Sequence, residues 1–319
     1  MELNDQNLNT MASYLEATLN PDPSVRRNAE KDLESVEGNS GYSRLLFTML
    51  SRSEVPVHIQ QAAAVTFKNF VKRNWRSIEG EPNRIIDEDR IYIKSSIVDL
   101  MVIVQPLAQK QLSVAVSLIG AEDFPHKWPE LLPALISKFN SGDFVVINGI
   151  LQTADSLFKR YRYEMKTNTL WTEIKIVLDN FAAPLTELFK SSTDYAKTNI
   201  TDASASKLVY PVLVLIAKIF HSLNAQDLPE FFEDHIADWM TRFLELFKTD
   251  VQHLVTADTE EPGLLEQLRS QICDIVTMYA QRYEEEFAPY LAGFVEAIWT
   301  LLVNTGYPLR LYLSSGDDC

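Results

Sequence analysis

The stretch DFPHKWPELLP, from Asp123 to Pro133, interrupts a chain that is otherwise a series of amphipathic helical segments. Proline has no backbone N–H and disfavours the helical conformation in the residue before it. Pro125 and Pro129 are therefore predicted to end one helix and admit the next, and Trp128 to pack across the junction. The segment predicts an architectural joint that sets the angle between two helical repeats.

Helical periodicity extends outward from this joint in both directions. Apolar residues recur at intervals of three and four along about thirteen segments. The first and last of these stripes are Leu8, Met11, Leu15, Leu19 and Leu291, Phe294, Ile298, Leu301. Pairs of roughly 40–50 residues are typical of HEAT-type arrays. The chain is predicted to be an all-α HEAT-repeat solenoid, a curved rod of about six complete helix pairs plus one unpaired helix.

Three regions are predicted along this array. Residues 1–105 hold the first HEAT repeats, residues 106–303 hold further repeats, and residues 304–319 lack helical periodicity and are expected to form a divergent, disordered tail. The last helix has no following partner in this scheme. We therefore expect an exposed apolar patch at that end, which favours self-association or packing of the tail.

Composition excludes several classes of protein. The formal net charge is −15, whereas a general nucleic-acid binder needs a positive field. Only Cys273 and Cys319 are cysteines, so a disulfide framework is not expected. The first residues, MELNDQNLNT, have neither a basic region nor an apolar core, so no secretory signal is expected. The longest strongly apolar run, Leu208 to Ala217, is about half the length that spans a bilayer, so no membrane insertion is predicted.

Enzyme and metal signatures are absent from the sequence. The five histidines show neither HxxxH nor HExxH spacing, and the two cysteines form no CxxC pair, so no metal site is predicted. Glycine-rich phosphate loops and nucleophile elbows are missing as well. The function is expected to reside in a binding surface rather than in a catalytic site.

One polar and basic edge lies in the segment AAAVTFKNFVKRNW, Ala62 to Trp75, and the residue that follows it. Asn69, Arg73 and Arg76 are four and three residues apart, which places them on one side of a helix beside Phe70. Two interpretations remain open. Cations in a last turn complement the helix dipole and cover apolar surface with their stems. Alternatively, an acidic protein keeps this edge for a partner.

Three segments resemble the importin-β family of nuclear transport receptors. RRNAEKDLE, Arg26 to Glu34, is similar to the start of the family's N-terminal domain. Ala62–Trp75 resembles its alanine-rich helix followed by Lys-Asn and Trp, and Asp123–Pro133 resembles its FP..WP.LLP junction. The resemblance extends from Met1 to about Gly306. Within the family it is greatest to the export receptors that return importin-α to the cytoplasm.

The resemblance implies a receptor that binds Ran-GTP and importin-α, shuttles between nucleus and cytoplasm, and contacts nucleoporins. It implies no cofactor except the GTP bound to Ran. In the family, the second helices of the repeats line the concave surface and the first repeats contact Ran. The matching Ran-binding candidates are Arg26, Arg27, Lys68, Asn69, Lys72 and Arg73, with residues around Gln111 to Ser117 on the next helix. The structural junction comprises Trp75, Pro125, Trp128 and Pro129.

Alternative functions stay open at this stage. The family wraps cargo and Ran with repeats beyond residue 319, and the sequence departs from the family pattern at Tyr307. The chain is therefore expected to act as an N-terminal fragment or short isoform of such a receptor. The alternatives are a truncated regulatory or inert isoform, and a HEAT scaffold without transport activity.

Overall fold

The computed structural model describes residues 2–77, 80, 82–254 and 262–305. Within these ranges the chain is built from helices joined by turns and contains no β-strand, which confirms the predicted all-α class. The chain divides into two compact units, Met1–Leu157 and Phe158–Cys319. The predicted tail from residue 306 onward lies outside the described residues.

The described residues form fourteen α-helices. Those that make up the first unit are α1 (Asp5–Ala17), α2 (Pro23–Val36), α3 (Tyr42–Ser51), α4 (Val57–Asn74), α5 (Asp87–Ile103), α6 (Pro106–Asp123), α7 (Leu131–Ile136) and α8 (Phe144–Phe158). Those of the second unit are α9 (Asn168–Thr198), α10 (Ala203–Asn224), α11 (Glu230–Asp234), α12 (Ile236–Lys248), α13 (Leu264–Arg282) and α14 (Glu284–Thr305). Consecutive helices pack as pairs, as in α1–α2, α3–α4, α5–α6 and α9–α10.

Local sequence accounts for several helix boundaries. Asp22 caps α2 by accepting a hydrogen bond from the backbone N–H of Ser24 at 2.8 Å, and Pro23 is the first helical residue, as predicted. At the central joint α6 ends at Asp123 and α7 begins at Leu131. Pro133 is thus the third residue of α7, where its missing N–H removes no helical hydrogen bond.

Small and aromatic side chains build the core of the first unit. Ala63, Ala64 and Phe67 on α4 are fully buried, and α4 packs extensively against α6. Alanine lets the two helix backbones approach closely, because its side chain ends at Cβ. On the other side of α4, Tyr42 of α3 contacts Phe70 edge to face, with ring centroids 5.1 Å apart. This packing holds α4 rigidly between α3 and α6.

The second unit is organised around stacked aromatic rings. Phe220 of α10 stacks on Trp239 of α12 with centroids 4.4 Å apart, and Trp239 stacks in turn on Phe189 of α9 at 4.4 Å. Tyr279 of α13 lies 5.9 Å from Phe220. Its hydroxyl donates to Asn224 Oδ1 at 3.0 Å, so the polar end of the ring is paired inside the core.

The first predicted stripe is wrong at its last residue. The stripe was expected to include Leu19, but α1 ends at Ala17 and Leu19 is 48% exposed. The next residues are Asn20 and Pro21, and the conformational restriction before proline directs the chain into a turn instead of a further helical turn. Leu8, Met11 and Leu15 are buried as predicted.

Two described helices are long and apolar enough to cross a membrane. They are α10 and the part of α14 from Glu284 to Val303. In α10, 67% of the most apolar window is buried inside the protein, as in the core helix of a soluble domain, whereas only 17% is buried in α14. One side of α14 is an exposed apolar stripe, and its members are Leu291, Val295, Trp299 and Val303. Leu291 is therefore outside the buried face on which Phe294 lies, although both belong to the predicted last stripe.

Candidate protein-binding surface

A groove of about 560 Å³ runs between α2 and α4 in the first unit. Helix α2 contributes Glu30, Leu33 and Glu34, whereas the turn that follows α1 contributes Thr18 and Leu19. The remaining wall consists of side chains of α4 at helical spacing, namely His58, Gln61, Ala62, Val65, Thr66, Asn69 and Arg73. The wall formed by α2 thus carries acidic groups. The wall formed by α4 consists mostly of neutral polar or apolar groups.

A polar bridge closes each end of this groove, which we call the α2–α4 groove. At one end His58 Nε2 lies 3.1 Å from Glu16 Oε2. At the other end Arg73 Nη2 donates to Glu37 Oε2 at 2.6 Å, and Arg73 Nη1 lies 3.8 Å from Glu34 Oε1. These bridges connect α1 and α2 to α4, and the groove is present in the chain without a partner.

Arg73 is the centre of the second bridge. Glu37 accepts from Arg73 and also from Asn74 Nδ2 at 2.9 Å. The hydrogen bond from Arg73 to Glu37 is the main cause that raises the pKa of Arg73. Burial, followed by the charge of Glu37, raises the pKa of Tyr42 behind the bridge. Arg73 is therefore paired within the chain, while its guanidinium remains partly exposed.

The structure separates the six candidate residues into four positions. Asn69 and Arg73 line the α2–α4 groove. Lys68 and Lys72 occupy α4 outside the lining of the groove, and Lys72 is exposed. Arg26 Nη1 donates to the carbonyls of Asn20 and Pro21, each at 2.8 Å, so it braces the α1–α2 turn. The sixth candidate, Arg27, is exposed on α2, and Arg76 lies beyond the end of α4.

The two segments that the sequence singled out meet through α5. Trp75 follows α4 directly and is buried. The guanidinium of Arg90 lies 4.6 Å from the centroid of the Trp75 ring, and its Nη2 donates to the Trp75 carbonyl at 2.6 Å. Lys94, one turn further along α5, places Nζ 5.9 Å from the same ring. Cation–π contacts of this kind stabilise a desolvated cation.

Lys94 also reaches the second segment. Its Nζ lies 2.5 Å from Asp123 Oδ2 and donates to the Lys127 carbonyl at 2.8 Å. Asp123 and Trp128 are buried, and the Phe124–Pro125 peptide bond is cis. Pro125 and Pro129 both lie between α6 and α7, as predicted. Trp75 and the proline segment are therefore parts of one junction.

Sequence reasoning missed Arg90 and Lys94. Both lie on α5 among the buried residues Ile93 and Ile97, with Arg90 9% exposed. The sequence does contain a signal for them: two cations lie one helical turn apart beside an apolar stripe. A cation buried at such a position requires partners, so the spacing could have indicated a polar contact there. The sequence could not name those partners, since Trp75 and Asp123 lie 15 and more residues away.

Metal binding finds no support in the part of the chain that the structure describes. There, no three His, Cys, Asp or Glu side chains come together in a cluster that could hold an ion. The α2–α4 groove is open to solvent and has polar side chains among its lining residues. Such a surface is suited to docking another macromolecule rather than to enclosing a small ligand.

Comparison with known proteins identifies two family models along the chain. The importin-beta N-terminal domain matches residues 29–102, and Cse1 matches residues 157–311. Among curated proteins, exportin-2 of Oreochromis niloticus is 58% identical and exportin-2 of Homo sapiens 57% identical, each over 310 residues. In both cases the match covers 97% of this chain and 32% of the relative. The chain thus spans about a third of the length of these relatives.

Solved structures show the same relationship. The exportin Cse1 in its cargo-free, cytoplasmic state superimposes with a TM-score of 0.87 at 32% identity, covering 93% of this chain and 32% of Cse1. This match confirms the predicted HEAT-repeat solenoid class. Kap121p bound to RanGTP, with a TM-score of 0.50 and 16% identity over 95% of this chain and 29% of Kap121p, shares the fold. The chain belongs to the importin-β family, in which its relatives are the exportins exportin-2 and Cse1.

Proposed function

We propose that this chain is the N-terminal part of a nuclear export receptor that binds Ran-GTP and takes part in the export of importin-α. In this role it acts by binding and not by catalysis, and GTP enters only as the nucleotide of Ran. A receptor of this kind shuttles between nucleus and cytoplasm and meets nucleoporins on the way. The identity of 57–58% to exportin-2 proteins supports this assignment.

The observation that carries the Ran-binding part is the α2–α4 groove. It falls mainly within residues 29–102, which the importin-beta N-terminal domain matches. Asn69 offers an amide that can donate and accept. Arg73 is held in place by Glu37, so little side-chain entropy remains to be lost when a partner contacts it. The groove is therefore a preorganised polar surface on the helices that the family resemblance selects.

The basic edge of α4 adds an electrostatic component. Lys68 and Lys72 are one helical turn apart, and Lys72 is exposed. Lys68 is half-buried. In a protein of net charge −15, this pair of cations gives a local field of opposite sign. Such a pair is expected to orient an acidic region of the partner and to raise the association rate at low salt.

The binding measurement uses the purified chain and Ran loaded with GTP or GDP, with and without importin-α, at two salt concentrations. We expect selective binding to the GTP form, weakened by salt. The double variant Lys68→Glu/Lys72→Glu should bind about tenfold or more weakly, because it reverses two charges at the interface. Lys207→Glu, on an exposed position of α10, is the matched control and should bind as the wild type does.

Failure of the wild-type chain to bind either form of Ran would contradict the proposal. It would favour the truncated regulatory or inert isoform, because the remaining two thirds of the receptor would then be needed to hold Ran. Equal weakening by the control variant would show that net charge, and not this edge, determines binding. If the chain binds Ran-GTP but does not export importin-α from the nucleus, the proposed recognition of Ran stands. Transport would then require the longer receptor.

A further inference from the structure

A second groove, of about 550 Å³, lies entirely within the second unit. It runs between α9 and the segment that connects α10 to α11. Its apolar surface comes from Trp171, Ile174 and Leu178 of α9, and from Leu228 and Phe231 on the opposite side. We call it the α9–α11 groove. It is separate from the α2–α4 groove and shares no residue with it.

Four carboxylates line the same groove, namely Asp179, Asp227, Glu230 and Asp234. The one cation among its lining residues is Lys175, which lies 3.1 Å from Asp179 and is matched by it. Among the described residues, Glu230 and Asp234 form no ion pair. The rim therefore carries an excess of negative charge above an apolar floor.

The walls of this groove are fixed by internal contacts. Gln226 Nε2 donates to the carbonyls of Tyr161 at 2.5 Å and Glu164 at 3.0 Å, which ties the α10–α11 segment to the loop before α9. Phe231 stacks on His235 with ring centroids 4.3 Å apart. A groove that is already ordered loses less entropy on binding than a flexible one.

Two exposed large side chains lie on the loop to which Gln226 binds. Tyr163 is 84% exposed and Met165 is 85% exposed, on either side of the Glu164 carbonyl that Gln226 binds. Lys166 Nζ lies 5.7 Å from the ring of Trp171 in the groove. Large apolar side chains that are exposed to water, such as Tyr163 and Met165, are typical of a surface that another molecule covers.

We propose that the α9–α11 groove docks a basic amphipathic segment of a partner protein. Apolar side chains of that segment contact Trp171, Leu178 and Phe231, and its lysines or arginines pair with Glu230 and Asp234. The charge of the rim favours this occupant, because an acidic segment or a nucleic-acid backbone would meet carboxylates of the same sign. The proposal does not depend on Ran binding, since it concerns a different groove.

The test measures the affinity of the full chain for a fluorescein-labelled synthetic peptide of about 15 residues, with leucines at helical spacing and lysines or arginines elsewhere. Two comparison peptides keep the leucines and carry glutamates or glutamines in place of the cations. We expect the basic peptide to bind at least tenfold more tightly than both, with an affinity that falls as salt rises. Equal binding of the glutamine peptide would overturn the proposal and indicate a purely apolar docking site.

Variants locate the site. Glu230→Lys/Asp234→Lys reverses two exposed charges without removing an internal bond, and it should weaken binding of the basic peptide at least tenfold. Glu285→Lys, on an exposed position of α14, is the matched charge control and should leave the affinity unchanged. Circular dichroism verifies that each variant is folded. An unchanged affinity in the double variant, or the same loss in the control, would overturn the assignment to this groove.

Discussion

At the scale of single residues, several buried polar groups of this chain are matched by specific partners. Glu173 of α9 accepts hydrogen bonds from the side chains of Tyr161 and Arg160, which precede that helix. His221 of α10 is a different case, because two cations, Arg162 and Arg282, lie near its ring. Burial, followed by the charges of Arg162 and Arg282, lowers the pKa of His221 to about 3. Its Nδ1 lies 3.4 Å from the Gln271 side-chain nitrogen, an arrangement that suits a neutral imidazole.

His221 should make stability sensitive to acid. The unfolded chain takes up this proton near the ordinary pKa of 6.5 and the folded chain only at about 3, so stability is lost as pH falls between these values. Between pH 6.5 and about pH 5.5, the free energy of unfolding should fall by about 1 kcal/mol more in the wild type than in His221→Gln. Urea unfolding at each pH measures this difference.

The control for this prediction is Leu208→Gln, which changes an exposed residue of α10 that does not titrate. It should keep the acid sensitivity of the wild type. Parallel stability curves for the wild type and His221→Gln would show that the His221 ring does not cause the loss.

At the scale of helices, the junction of α4, α5 and α6 depends on Lys94. Its ammonium group contacts the ring of Trp75 after α4, the carboxylate of Asp123 at the end of α6 and the Lys127 carbonyl. Asp123 is 4% exposed, so its charge has little access to water. One side chain therefore connects two of the three segments that carry the family resemblance.

Removing this cation should destabilise the first unit. Lys94→Met leaves Asp123 buried without its partner, and the loss of one member of a buried ion pair is costly. Because Lys94 is partly exposed, we expect a decrease of about 2 kcal/mol in the free energy of unfolding, measured by urea titration with tryptophan fluorescence. Lys94→Met/Asp123→Leu should recover part of this loss, since it removes both charges.

Lys175→Met provides the matched control. It removes a cation from a solvent-exposed pair with Asp179 on α9, and such pairs contribute about 0.5 kcal/mol or less. If Lys94→Met were no more harmful than Lys175→Met, the connecting role of Lys94 would be refuted.

At the scale of the whole molecule, the described residues leave one apolar face of α14 exposed. Val295, Trp299 and Val303 are 56%, 69% and 62% exposed and lie at intervals of four on one side of the helix. Solenoid helices normally bury such a stripe against the next repeat. The predicted stripe is therefore wrong as the exposed face: Phe294 is buried and Ile298 and Leu301 are half-buried. The exposed face lies on the neighbouring residues Val295, Trp299 and Val303, and only Leu291 belongs to both sets.

Self-association through this face is the expected consequence. Light scattering should show an average mass that rises with concentration in the wild type, and Val295→Ser/Trp299→Ser should reduce that rise, because burial of apolar area drives association. Ile103→Ser changes a residue of similar exposure, 66%, on α5 and should have no effect. A wild-type chain that stays monomeric over the same range would contradict this prediction.

Much of the fold was predictable because helix formation leaves a local record. Apolar spacing, the Asp22-Pro23 start of α2 and the Asp123–Pro133 joint each act within a few residues, and the structure confirms them. The error at Leu19 has the same origin. Apolar periodicity alone extends the first stripe to Leu19. The helix ends earlier because Pro21 restricts the backbone conformation of the residue before it.

The sequence by itself determined the all-α class, the helix pairs and the polar edge of α4, since these follow from residues that are neighbours along the chain. Only the tertiary structure decided which side chains meet across helices. It separated Arg26 from Asn69 and Arg73, joined Trp75 to Asp123 through Lys94, and formed the two grooves. The physical reason is that contacts between residues distant in sequence depend on how whole helices pack, which no local spacing records.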